Sequence, residues 1–204
     1  MRYKLGLKEG LTLLFVLFCT IKGFSDETPI IVEIPGIPTN LDSFLALRDR
    51  LSLSPEGGAS MFIVSMVMYT QNQNLGQEAF TISLDRFNLV TDPSGYKGYS
   101  PSQTFMLRAK NYLEPRPYIA FSYLMGTSPE SRYVLPKKPY KIMYSTNAYS
   151  YISDTEVKLF VHSTGSETPR PIVLKKNNRG LWKVKSHSLF LGVLAPTELV
   201  DDDL

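Results

Sequence analysis

Between Phe44 and Leu113 the apolar residues recur mostly at helical spacing, whereas from Tyr140 to His187 they alternate at every second position, and this change of period divides the chain. Phe44, Leu47 and Leu51 share one helical face behind Thr39, whose hydroxyl is placed to cap the helix while Asp42 answers it three positions later. Ser54-Pro55-Glu56 predicts a second helix start: a serine to accept a backbone N–H, a proline where no N–H is wasted, and a carboxylate at the positive helix end. Residues 61–69 are apolar on nearly every side, the pattern of a helix at the centre of a core. Residues 76–88 fit both periods, and the expectation there is a helix.

A loop is expected over 92–99, followed by Ser100-Pro101 as another cap and first-turn proline. Phe105, Met106, Ala109, Tyr112 and Leu113 then form one amphipathic helical face. Five prolines between 114 and 139 interrupt any long element. Strands are predicted over 140–145, 157–163, 171–176 and 181–187, the last two joined across Asn177-Asn178-Arg179-Gly180, with 190–194 as a further edge strand. Helices first and antiparallel strands afterwards make the fold class α+β, with N-terminal helices packed on a C-terminal antiparallel sheet of about four strands.

The chain ends change the picture. Arg2, Lys4 and Lys8 precede an apolar run over 11–21, and the small residues Gly23 and Ser25 flank Phe24, the three-part pattern of a secretory signal. The expected organisation is a signal peptide (1–25), an extended lead-in with three prolines (26–38), one α+β domain (39–195) and an acidic tail (196–204). The apolar run is shorter than the roughly 20 residues a membrane-crossing helix needs, so the expectation is export to the periplasm or the cell exterior without a permanent membrane span. Anchoring by the signal, or by lipid on Cys19, is the alternative.

Charge follows the same division. The formal charge of +3 resides in the signal, and the remainder carries 18 basic and 18 acidic side chains. A neutral mature chain gives no electrostatic reason to expect nucleic acid as a partner. The charges are segregated, however: −5 over 26–100, +9 over 101–194 and −4 beyond. Cys19 is the sole cysteine, so signal cleavage would remove disulfides, thiol nucleophiles and cysteine-type zinc sites together.

Several stretches look familiar as sequence: Ser54-Pro55-Glu56-Gly57-Gly58, Tyr96-Lys97-Gly98-Tyr99, Arg116-Pro117-Tyr118-Ile119, Gly126-Thr127-Ser128-Pro129-Glu130, and Pro169-Arg170-Pro171-Ile172 leading to Gly180-Leu181-Trp182-Lys183-Val184. Together they resemble an uncharacterised bacterial domain family of unknown function. The resemblance spans most of the chain after the signal and implies no activity, cofactor or catalytic residue.

Candidate chemistry is sparse. His162 and His187 lie on different predicted strands without ligand spacing, so no metal site and no cofactor is expected. Ser186 and His187 are strand neighbours facing opposite ways, which excludes them as nucleophile and base. Asp154 and Glu156 would serve as acid and base only if burial separated their pKa values, and no catalytic residue is assigned.

The compositional signal is aromatic. Ten of the twelve tyrosines fall between Tyr96 and Tyr151, interleaved with Arg108, Lys110, Arg116, Arg132, Lys137, Lys138 and Lys141. Tyrosine offers a flat apolar face with a polar rim, and the cations suit carboxylates or phosphates. The candidate ligand-binding residues are therefore Arg116, Tyr118, Tyr123, Arg132 and Tyr133, the competing role being to pin the proline-rich segment by packing. The leading expectation is a non-enzymatic module of the cell envelope that binds a protein, peptide or glycan. Two alternatives stay open: a hydrolase using carboxylates in a cleft between helices and sheet, and a structural or assembly protein joined through a sheet edge near 190–194.

Overall fold

The computed structural model describes residues 29–198; the expected signal peptide and the end of the acidic tail lie outside them. The chain is α+β, with a helical half followed by an antiparallel sheet. The sheet has six strands rather than about four: β1 (Ile30–Ile34), β4 (Tyr140–Ser145), β5 (Tyr151–Ser153), β6 (Glu156–Val161), β7 (Arg170–Lys176) and β8 (Trp182–His187). Their order is β1-β4-β6-β7-β8, with β5 also paired to β6.

β1 corrects the expected lead-in. Residues 30–34 are extended but form a paired sheet strand, with Ile30 opposite Tyr144 and Ile34 opposite Tyr140, so the folded domain begins before residue 39. Residues 190–194 are not an edge strand. Gly192 turns there with φ of 68°, Tyr133 donates to the Leu194 carbonyl and Leu194 N–H donates to Gly165, so this segment is strapped across the sheet end instead of extending it.

The central element is α2 (Pro55–Gln71), buried continuously from Gly57 to Tyr69. It starts where the sequence predicts, with Ser54 Oγ accepting from Gly57 N–H at 3.1 Å and Pro55 in the first turn. The two glycines beside this cap answer a packing demand. A Cβ on Gly57 would strike the Leu51 carbonyl at the end of α1 (Leu41–Leu51), and one on Gly58 would lie 2.6 Å from the Trp182 carbonyl oxygen of β8. The backbones thus meet directly where α2 crosses the sheet. Deeper along the helix, Ser60 Oγ donates to the Glu56 carbonyl and sits 2.7 Å from the Tyr144 hydroxyl of β4.

Other boundaries moved for local reasons. Asn40, not Thr39, caps α1, its side-chain oxygen accepting from Ser43 N–H at 2.9 Å. The helix expected over 76–88 is α3 (Gln73–Ser83), capped by Asn72. It stops because Leu84 bridges to Val184 and Asp85 N–H donates to the Val184 carbonyl at 2.8 Å, after which Arg86–Asn88 form a single 3-10 turn. Trp182 N–H likewise donates to Ser52, so the outer edge of β8 is covered by two loops.

The expected loop over 92–99 is a hairpin, β2 (Leu89–Tyr96) and β3 (Tyr99–Pro101). Lys97 and Gly98 turn it with φ of 51° and 80°, the paired positive angles that match the right-handed strand twist. Pro101 therefore ends β3, and Ser102, not Ser100, caps α4 (Gln103–Leu113). The buried face of α4 is Phe105, Ala109 and Leu113, followed by the short α5 (Tyr118–Phe121).

β8 carries a bulge at Lys185: Val173 pairs with Ser186 while the next residue, Leu174, pairs with Val184. The extra residue turns His187 to the helix side, where its ring lies 4.7 Å from that of Phe62 and 4.5 Å from that of Phe190.

Candidate functional site

The five residues singled out by composition do not form one surface. Tyr123 is buried, and its hydroxyl donates to the Leu189 carbonyl at 2.7 Å; desolvation holds its pKa well above the ordinary phenol value. Tyr133 is also buried, donating to Leu194 at 2.8 Å, and burial pushes its pKa up to about 12. Its backbone, with Arg132, occupies positive φ of 57° and 52°, which presents Arg132 outward and turns Tyr133 in. Tyr118 stacks on Tyr133 with ring centroids 5.5 Å apart. Arg116 lies over the Tyr112 ring and donates to the Asn111 carbonyl at 3.0 Å. Tyr123 and Tyr133 are thus packing and hydrogen-bonding elements of the proline-rich segment, while Arg116 and Arg132 reach its surface from separate turns.

A different group of residues meets around a cleft of about 260 Å³, where the β2–β3 hairpin, the β7–β8 turn and the faces of α1 and α3 converge. Its walls are apolar: Ile82 from α3, Leu89 from β2 and Leu181 before β8, with Tyr96 and Tyr99 from the hairpin. Four cations line it: Arg48, Lys97, Arg179 and Lys183. No Asp or Glu is among its lining residues.

The geometry of the cations follows from the elements that carry them. Lys183 is the β8 residue between core-facing Trp182 and Val184, so alternation sends it to the opposite face, where Nζ donates to the Ile82 carbonyl at 2.7 Å. Burial, with Arg48 and Arg179 acting in the same direction and Asp85 opposing them, lowers its pKa to about 8. Arg48 sits in the last turn of α1 with its side chain only 12% exposed. Its Nε lies 2.8 Å from Asp49 Oδ1 without hydrogen-bond geometry, so this buried N–H has no acceptor. Arg179 and Lys97 occupy the two hairpin turns, exposed at the mouth. Lys97 Nζ stands 5.6 Å from the Tyr96 ring centroid, and Arg86 packs 4.2 Å from the Tyr99 ring centroid.

The four cations outnumber the two carboxylates that act on them, Asp49 at Arg48 and Asp85 at Lys183, and they retain unused donors. Such an arrangement raises the free energy of the unliganded fold and lowers that of an anion complex. The cleft can hold an anion against a flat or apolar group, and nothing in it supplies a general base beyond the Lys183 amine.

The remaining titratable candidates are accounted for by their neighbours. Glu156 accepts from Lys185 at 2.8 Å on both oxygens, and Asp154 is exposed. His162 Nε2 meets Ser145 Oγ at 3.0 Å. His187 Nδ1 accepts from Leu189 N–H, and enclosure by aromatic rings, aided by Arg108, lowers its pKa to about 3. Among the described residues no group of three His, Cys, Asp or Glu is placed to hold a metal ion, and no helix is long and apolar enough to cross a membrane.

Sequence reasoning missed the cleft because its cations come from positions 48, 97, 179 and 183. One signal was present: two of the familiar stretches, Tyr96-Lys97-Gly98-Tyr99 and Gly180-Leu181-Trp182-Lys183-Val184, meet at this place. The model of a domain family of unknown function, DUF6935, matches residues 36–197. No curated protein and no solved structure matches the chain.

Proposed function

From a chain that belongs to the DUF6935 family, a domain of unknown function, we propose a non-enzymatic binding module, exported to the bacterial cell envelope, that captures an anionic ligand in the cleft between its two hairpins. The observation that carries this reading is the meeting of Arg48, Arg179 and Lys183 in an apolar-walled cleft without a lining carboxylate. The envelope assignment is supported by the signal-like residues 1–25.

The hydrolase alternative needs two buried carboxylates sharing a water. No Asp or Glu among the described residues is buried, which favours binding over that chemistry. Assembly through a sheet edge at 190–194 has lost its basis, since those residues form no strand.

The test is the melting temperature of the purified protein against acidic and neutral glycans, peptides and lipids of envelope type. A ligand at 100 times its Kd adds about 2.7 kcal/mol, roughly 5 to 10 °C for a chain of this size. Shifts confined to anionic compounds support the reading. Shifts from neutral compounds alone refute it.

A further inference from the structure

We infer that the anion is a phosphate monoester carried on a single flat or apolar ring. This rests on the anion-binding reading above and narrows it to a ligand class.

Charge is the first argument. Arg48, Arg179, Lys183 and Lys97 bring four positive groups to the cleft, and Asp49 against Arg48 with Asp85 acting on Lys183 leave two of those charges unopposed. A carboxylate would offset one of these charges. A phosphate monoester brings about −1.5 to −2 at neutral pH and three terminal oxygens, and so offsets roughly twice as much.

Donor geometry is the second. Lys183 spends one N–H on the Ile82 carbonyl and keeps two. Arg48 has a buried Nε–H without an acceptor, at the edge of a planar fork suited to phosphate oxygens. Donors from α1, β8 and the β7–β8 turn approach from three separate elements, an arrangement that serves a tetrahedral group better than a planar one.

Size and lining give the third. About 260 Å³ holds one ring with its ester and excludes a polymer segment buried along its length. Ile82, Leu89 and Leu181 offer apolar contact to that ring, and Tyr96 and Tyr99 offer aromatic contact. Inorganic phosphate would leave these walls unused.

The experiment is calorimetric titration of the purified protein at pH 7 with phenyl phosphate, inorganic phosphate and benzoate. Phenyl phosphate is expected to bind at least about tenfold more tightly than either, since the full charge and the ring each contribute. Benzoate binding as tightly as phenyl phosphate overturns the phosphate assignment and leaves the anion reading standing. Inorganic phosphate binding equally well overturns the ring. No heat from any of the three overturns both this inference and the anion reading. Arg179→Gln, in an exposed turn, is expected to keep the melting temperature and weaken phenyl phosphate about tenfold. Unchanged affinity in that variant places the binding elsewhere and overturns the inference.

Discussion

Lys183 Nζ donates to the Ile82 carbonyl at 2.7 Å, joining the sheet edge to the end of α3 and fixing a cation inside an apolar-walled cleft. The strand alternation that buries Trp182 and Val184 also delivers Lys183 to this position, so core packing and the candidate site are set by the same three residues.

The Lys183 titration gives two pH dependences of opposite sign. Phosphate affinity is expected to be full between about pH 7 and 8 and to fall above it, by up to about tenfold per pH unit, because the free amine loses its charge near its pKa of about 8 while the bound anion holds it protonated. Stability of the unliganded protein moves the other way. Between pH 8 and about 10 the unfolded chain binds the Lys183 proton more tightly than the folded one, so stability rises with pH over that window. Titrations and thermal melts from pH 7 to 10 check both, and Lys183→Met should flatten each profile.

In the core, the Ser60 and Tyr144 hydroxyls meet at 2.7 Å, and Ser60 also bonds to the Glu56 carbonyl. Ser60→Ala strands the Tyr144 phenol and is expected to cost about 1–3 kcal/mol. Tyr144→Phe leaves Ser60 its carbonyl partner and should cost about 1 kcal/mol. Denaturant melts of both single variants and the double variant check the order. The double variant should be less unstable than the sum.

Gly58→Ala tests the backbone contact of α2 with β8. The new methyl would lie 2.6 Å from the Trp182 carbonyl oxygen and 2.8 Å from the Trp182 Cβ, neither of which is the free end of a flexible chain. Overpacking of this kind costs about 1–3 kcal/mol, a fall of roughly 3 to 10 °C in melting temperature. An unchanged melt would show that the helix shifts without cost.

Local signals were legible where they were complete. The Ser54 cap with Pro55, the all-apolar body of α2, the buried stripe of α4 and the alternation in β4, β6, β7 and β8 all appear in the sequence as they do in the fold. β1 was hidden because prolines flank a run of five residues whose partner lies over a hundred positions away. The β2–β3 hairpin was hidden by its register shift between Thr91 and Tyr96 and by a Lys-Gly turn in place of the usual Asn-Gly. His187 was expected to face away from Ser186, and the bulge that sends it toward Phe62 leaves no mark in composition.

The site was the least legible part. Tyrosine density pointed to residues 116–133, where Tyr123 and Tyr133 instead commit their hydroxyls to backbone carbonyls. The cleft draws one cation each from α1, the β2–β3 turn, the β7–β8 turn and β8, and only tertiary packing brings those together.

The most direct measurement is a heteronuclear NMR titration of the purified protein with phenyl phosphate. The account predicts that the amides of Lys97, Gly98, Arg179, Gly180 and Lys183 move together with one Kd, while those of Arg116, Tyr118 and Arg132 stay in place. Shifts confined to the Arg116–Tyr133 segment, or no shifts at millimolar ligand, would contradict it.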